Sequence, residues 1–249
     1  MIRVRLISVL TINEGVLYRT RNFIPDYRYG LNFVDGWDID EVILLDITRN
    51  KTSESNYIFY CLIEKLTSQF FVPLAVGGGI RSIDDCLKLL EHGADKVILN
   101  TAGLKSPGLI TNIANSIGSQ SLVVSIDAKR IDNDTYEVMS DFGRGSTGLS
   151  PETWAKSAEN LGAGELMLSS IDRDGTLEGY DNILNRMVSD AVRVPVVVSG
   201  GAGQWKHFVD AINFGGASGV CTSNIYHFTA TSIISAKTYM QKHGINVRT

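Results

Sequence analysis

Val72-Pro73-Leu74-Ala75-Val76-Gly77-Gly78-Gly79 returns, slightly altered, as Val194-Pro195-Val196-Val197-Val198-Ser199-Gly200-Gly201. The copies lie 194 − 72 = 122 residues apart, close to half of the 249-residue chain. Each is a short apolar run ending in glycine, the pattern of a buried strand entering a tight turn. Outward from this pair, Glu41-Val42-Ile43-Leu44-Leu45-Asp46-Ile47 matches Glu165-Leu166-Met167-Leu168-Ser169-Ser170-Ile171, and Gly93-Ala94-Asp95 matches Gly216-Ala217-Ser218, at nearly the same offset. Three repeated signals predict two related halves, about 1–120 and 121–249.

Apolar, β-branched runs stand at 4–10, 42–48, 72–77, 96–100, 122–127, 165–170, 194–199 and 218–222. Helical patterns separate them at 54–68, 82–91, 182–191, 204–213 and 229–242, with a weakly amphipathic stretch at 28–38 that carries Gly30 and Gly36. Ser82 reads as a helix cap, and Ser106-Pro107 and Ser150-Pro151 read as N-cap plus proline at the first helical position. Strands alternating with helices imply a parallel sheet, and eight of them in this length imply a closed (βα)8 barrel with a half-barrel repeat. Residues 131–147 are polar and glycine-rich, an excursion beyond the fifth strand. No linker divides the chain, so one domain over 1–249 is expected.

Composition narrows the function classes. The net charge of −4 argues against a nucleic-acid surface. Cys61, Cys86 and Cys221 are odd in number and widely spaced, which fits reduced thiols in a cytoplasm better than a disulfide frame or zinc site. No apolar run has the length of a membrane span, and Met1-Ile2-Arg3-Val4-Arg5-Leu6-Ile7 reads as a strand, not a signal peptide.

Side chains alternate along a strand, so every second residue of a barrel strand points inward. The predicted lining is Arg5, Ile7, Val9, Thr11; Glu41, Ile43, Leu45; Lys96, Ile98, Asn100; Val123, Ser125, Asp127; and Glu165, Met167, Ser169. Arg5, Glu41, Lys96 and Glu165 start their strands at equivalent depth, two of each sign. They either face solvent or form a ring at the barrel bottom in which each charge finds a partner. At the other end, Gly77-Gly78-Gly79 and Ser199-Gly200-Gly201 offer unobstructed backbone N–H groups, a nest suited to phosphate. Asn100-Thr101 and Thr222-Ser223 end strands beside those loops and add donors. Two such loops half a barrel apart imply a long ligand with a phosphate at each end. Asp127 is a general acid/base candidate or a structural partner for Lys129 or Arg130. Asp174 either supports catalysis or caps its loop. His227 reads as a packed structural histidine. No set of His, Cys, Asp and Glu has metal-ligand spacing, and no cofactor is expected.

Taken together these stretches, with Ser125-Ile126-Asp127-Ala128-Lys129-Arg130, Ser170-Ile171-Asp172-Arg173-Asp174-Gly175-Thr176 and Lys242-His243-Gly244-Ile245-Asn246-Val247-Arg248, resemble the cyclase subunit (HisF) family of imidazole glycerol phosphate synthase over essentially the whole chain. The resemblance implies a (βα)8 barrel that works with a glutaminase subunit (HisH-like) docked at its N-terminal face. Ammonia would enter at the bottom, cross the core, and meet a bis-phosphate substrate at the top. It implies that Arg5, Glu41, Lys96 and Glu165 form the ammonia gate and that Asp95 lies near the docking face. It further implies that Gly79, Asn100 and Thr101 hold one phosphate, that Gly200, Gly201 and Ser223 hold the other, and that Asp127 is one of two catalytic aspartates; Gly78, Ser199 and Thr222 join these sites on the loop reading alone. Arg19 stands where the family has a lysine on its first loop.

The second catalytic aspartate falls at position 11, where this chain has Thr11, and a neighbouring lysine is replaced by Asn13. A hydroxyl with a pKa far above 7 does not replace a carboxylate of about 4, so ring closure is expected to be impaired by several orders of magnitude. The pattern resembles diverged HisF-like proteins of surface-polysaccharide clusters, which work with a glutaminase and a third amidotransferase protein on amidino sugars. Two alternatives stay open. One is a genuine histidine-pathway cyclase in which another residue, Asp127 or Glu14, substitutes. The other is a non-catalytic scaffold that binds a phosphorylated ligand and activates a glutaminase.

Overall fold

The computed structural model describes residues 3–30, 38–69, 71–223 and 230–248. β1 (Arg5–Asn13) leads into a hairpin of β2 (Val16–Arg21) and β3 (Ile24–Tyr29). There follow β4 (Glu41–Asp46), α1 (Ser53–Gln69), β5 (Leu74–Gly77), α2 (Ile83–Glu91), β6 (Lys96–Leu99), α3 (Thr101–Lys105), α4 (Gly108–Ile117), β7 (Leu122–Asp132), β8 (Thr135–Ser140) and β9 (Gly145–Ser146). The chain continues through α5 (Pro151–Asn160), β10 (Glu165–Ser170), α6 (Asn182–Ser189), β11 (Val196–Ser199), α7 (Trp205–Asn213), β12 (Gly219–Thr222) and α8 (Ala230–Lys242).

Eight of these strands close in parallel, in the order β1-β4-β5-β6-β7-β10-β11-β12 and back to β1. Both faces of each barrel strand are buried, which is why they read as near-continuous apolar runs. Alternation divides them into two cores. Ile7, Val9, Ile43, Ala75, Ile98, Val123, Met167, Val197 and Cys221 fill the lumen. Leu6, Leu10, Leu44, Val76, Leu99, Val124, Leu168 and Val198 face outward and pack with Ile63, Ile110, Leu184 and Phe208 of the helices. Phe208 on α7 is fully buried beside Tyr180, and burial of a side chain of that size contributes about 1.5–3 kcal/mol.

The repeat recurs in the hydrogen bonds. Pro73 O accepts from Val42 N and Pro195 O accepts from Leu166 N, both at 2.9 Å. Proline has no N–H for the ladder, so β5 and β11 begin after it, two residues later than the apolar runs begin. Asp95 Oδ2 accepts from Leu74 N at 2.8 Å, which ties the approach to β6 to β5.

Two readings of the sequence require correction. The stretch 28–38 is not a helix where the structure describes it, because Arg28 and Tyr29 end β3. Tyr27 and Tyr29 favour a strand, and Pro25 is tolerated because β3 is an edge strand paired only with β2. Residues 31–37 lie outside the described residues. The second correction is at Ser106-Pro107, where Pro107 is the N-cap of α4, and Ser106 instead ends α3, a short helix the sequence pattern did not announce. The 131–147 excursion does leave the barrel beyond its fifth strand, as an antiparallel extension of the sheet through β8 and β9. Ser150 does cap α5 with Pro151 first in the helix, although its hydroxyl donates to Thr153 and caps no backbone N–H. At α2 the capping box is complete, with Asp85 N donating to Ser82 Oγ and Ser82 N donating to Asp85 Oδ2.

Candidate active site

The lumen has a charged floor. Arg5 Nη1 donates to Glu41 Oε2 at 2.6 Å, and Arg5 Nη2 pairs with Glu165 Oε1. Lys96 Nζ donates to Glu41 Oε1 and Glu165 Oε2, each at 2.9 Å. The structure thus brings all four residues of the sequence-derived ring together, and each carboxylate oxygen has its own cationic partner. Burial pushes the Glu165 carboxyl upward, but Arg5 and Lys96 outweigh it and hold the group below the usual carboxylate range. The same pairing raises Arg5 above its ordinary value against the opposing effect of burial.

At the opposite end the strands open into a cavity of about 1130 Å³, lined by residues that include Thr11, Asp46, Lys51, Gly78, Gly79, Arg81, Asn100, Thr101, Lys105, Asp127, Ser169 and Asp174. A second depression adjoins it, lined by Arg19, Asp174, Gly200, Gly201 and Thr222, and Ser199 and Ser223 border both. The two glycine loops therefore sit at two sides of one mouth. Gly78, Gly79, Gly200 and Gly201 all have φ in the left-handed region, at +113°, +72°, +100° and +100°. A Cβ on Gly78 would lie 2.2 Å from Asp46 O, and one on Gly201 would lie 2.1 Å from Gly179 O. The fold alone demands glycine there, before any ligand does.

Asp127 is the carboxylate best placed for proton transfer. It lies near the end of the buried part of β7, accepts from Asn100 Nδ2 at 2.7 Å, and receives a longer 3.4 Å contact from Ser125 Oγ. Burial pushes its pKa up to about 6, opposed by those two hydrogen bonds. A carboxyl poised there exchanges protons readily near neutral pH. Asn100 Oδ1 is buried with no hydrogen-bond partner in the structure, an acceptor left over at the mouth. Thr11 is buried at the end of β1, and its hydroxyl donates its one proton to Tyr18 O on β2. Thr101 Oγ1 accepts from Asp141 N at 3.0 Å, so this hydroxyl joins the mouth to the β8–β9 turn.

Asp174 has a structural task of its own. Its Oδ2 accepts from Phe23 N at 2.9 Å and its backbone O from Asn22 N at 3.1 Å, locking the β2–β3 turn over the loop after β10. Burial raises its pKa, offset by Phe23 N, Thr20 and Arg19. His227 lies outside the described residues. Cys61 is exposed, and Cys86 and Cys221 are buried; all three are free thiols. Among the described residues, no group of His, Cys, Asp and Glu has the geometry of a metal site, and no helix is long and apolar enough to cross a membrane.

Sequence reasoning missed Asp46 and Lys51. Strict alternation sends Asp46 outward, but at the strand's end its buried carboxylate pairs with Lys51 at 2.7 Å. No motif announces this pair.

A barrel with a closed, ion-paired floor, an apolar lumen and a polar mouth of paired glycine loops belongs to the class of (βα)8 proteins whose ligands bind at the C-terminal ends of the strands. A family model described as Histidine biosynthesis protein matches residues 22–232. The imidazole glycerol phosphate synthase subunit HisF of Hydrogenobaculum sp. (strain Y04AAS1) is 41% identical over 253 aligned residues, covering 100% of both chains. The chain belongs to the HisF family of histidine-biosynthesis proteins.

Proposed function

We propose that the chain is the synthase subunit of a glutamine-dependent complex, taking ammonia from a HisH-like glutaminase at its N-terminal face and using it on a substrate held by phosphate groups at the mouth. What supports this reading best is β1, which passes through all three layers: Arg5 in the floor, Ile7 and Val9 in the lumen, Thr11 at the mouth. An apolar lumen admits neutral ammonia and rejects ammonium, because an unpaired charge is strongly disfavoured there. The paired floor separates this lumen from the docking face. At the mouth Asp127 takes or gives the proton, the loop at 77–79 with Asn100 and Thr101 holds one phosphate, and the loop at 199–201 with Thr222 and Ser223 holds the other. Arg19 and Asp174 flank the second site.

The chemistry at the centre has diverged. Ring closure calls for an acid and a base on two sides of the reacting atoms, and Thr11 cannot act as the second. Its hydroxyl is a poor base at pH 7, and its proton is committed to Tyr18 O. The acceptor is accordingly a different phosphorylated compound, in line with amidino-sugar synthesis alongside a third amidotransferase protein. The full-length relatedness to a HisF subunit favours a second reading, a histidine-pathway cyclase that works without the carboxylate at position 11.

Ammonium salt and the bis-phosphate histidine intermediate, supplied to purified wild type and Thr11→Asp, separate the two. Divergence predicts scarcely measurable wild-type turnover and a gain of about 10²-fold or more in the variant. Robust wild-type turnover would overturn divergence and leave the histidine-pathway reading. Adding the partner glutaminase tests the conduit, with glutamine-dependent turnover as the expected result.

A further inference from the structure

Lys51 has no part in the resemblance, yet its ammonium lies in the glycine loop. It follows β4, and its Nζ donates to Asp46 Oδ2 at 2.7 Å and to Gly78 O at 2.8 Å. An ammonium has three N–H groups, and these two partners leave one for a ligand in the cavity that Lys51 lines. Asp46 is itself fixed, since its other oxygen accepts from Thr48 N at 2.9 Å. The ring of Phe59 lies 5.3 Å from the ammonium. The carboxylate, the carbonyl and the ring together hold a flexible side chain in place.

The glycine beside it completes the arrangement. A Cβ on Gly79 would stand 2.8 Å from Lys51 Cε and 2.9 Å from Nζ. The lysine occupies the hollow that the missing side chain creates, so the backbone of this loop and a full positive charge face the same space. Arg81 and Lys105 line the same cavity. The loop at 199–201 has Arg19 at its border, beside the acidic Asp174. The two halves repeat in backbone and differ in charge.

We infer that Lys51 is a ligand-binding, specificity-determining residue that makes the 77–79 side of the cavity select a dianionic phosphate monoester group. This rests on the phosphate-holding role proposed above for that loop. Lysine suits such a group as a point charge, and ammonium-to-phosphate hydrogen bonds are among the strong ones. Its prior fixation by Asp46 spares the ligand the entropy of ordering a long side chain. A lysine serving only to neutralise Asp46 would give the same ion pair and no dependence of phosphate affinity on its charge.

The test is calorimetric titration of the full chain with inorganic phosphate at pH 8, on wild type, Lys51→Met, Lys51→Arg and the double variant Asp46→Asn/Lys51→Met. Lys51→Met is expected to weaken the tighter phosphate event about 10- to 100-fold, with Lys51→Arg within about threefold of wild type. The double variant buries no unpaired charge, and its loss of phosphate affinity is expected to equal that of Lys51→Met; it decides the matter if the single variant fails to fold. Wild-type affinity in the double variant would overturn the role of Lys51 and leave the phosphate loops standing. No saturable phosphate binding by the wild type would overturn both.

Discussion

At the bottom of the barrel Arg5 and Lys96 each bridge Glu41 and Glu165, so that four charges meet with every carboxylate oxygen paired. At the mouth Asp127 has only an amide and a hydroxyl for company, Asn100 Oδ1 has no partner, and Thr11 has spent its proton on a backbone carbonyl. The floor is electrostatically satisfied, and these groups at the mouth are not. Glu165 is held below, and Asp127 well above, the ordinary carboxylate range, though both are buried. Burial raises both groups; the difference is whether a cation answers it. A site that is to exchange protons with a ligand keeps groups unanswered, and a floor that is to stay shut answers all of them.

The largest test of this contrast is at Asp127. Asp127→Asn is expected to lower turnover of the acceptor by about 10²–10⁴-fold, measured as kcat with ammonium salt. Retained turnover would move the proton transfer elsewhere in the mouth.

Next is the floor. Lys96→Met leaves Glu41 and Glu165 sharing one cation and is expected to cost about 3–5 kcal/mol, read from urea unfolding. It is also expected to lower glutamine-dependent turnover more than ammonium-dependent turnover, because on the proposed route only the former crosses the floor. A stability change near zero would mean that the ring is solvated and its pairing incidental.

The smallest effect is a drift with pH, and its sign is the informative part. Burial lifts the folded pKa of Asp127 to about 6, above the ordinary value of 3.8 that it has in the unfolded chain. Between those values the folded state binds more protons than the unfolded one, so stability falls as pH rises from about 4 to 6, by about 2–3 kcal/mol in all. Glu165 acts in the opposite sense, since its folded pKa is lowered. Its contribution is present above the ordinary glutamate range and is lost as pH falls through its folded value. Asp127→Asn removes the first drift and is expected to be more stable than wild type at pH 8. If thermal melts instead show the variant weaker at every pH, the isolated carboxylate is better accommodated than its surroundings indicate.

Much of the barrel was legible because its strands are buried on both faces, so Val42–Leu45 and Val196–Val198 read as apolar runs without long-range information. The floor followed from alternation, which puts Arg5, Glu41, Lys96 and Glu165 on inward faces at one level. The β2–β3 hairpin escaped because its outer strand is exposed throughout most of its length and carries little apolar patterning. Its turn depends on Asn22 and Phe23 in the left-handed region, a conformation for which Phe23 gives no sequence sign. Alternation failed at Asp46 and says nothing of Lys51. Their meeting at Gly78 depends on how loops after two neighbouring strands fold over the rim, and periodicity ends where the strand does. Thr11 was legible as a departure from its family, but the use of its proton by Tyr18 was not.

Closure sets an order of events for the growing chain. β1 pairs in parallel with β12, Arg5 opposite Gly219, and Val4 N donates to Asn246 O at 2.8 Å. At a synthesis rate of about 5–20 residues per second, β1 waits roughly 10–40 s for this neighbour. During that interval its edge is open, and for most of it Arg5 has Glu41 within reach but not yet Glu165. The first half-barrel emerges from the ribosome with an unpaired flank and an incomplete set of charges, and neither the ring of strands nor the ring of ion pairs can close before the second half arrives.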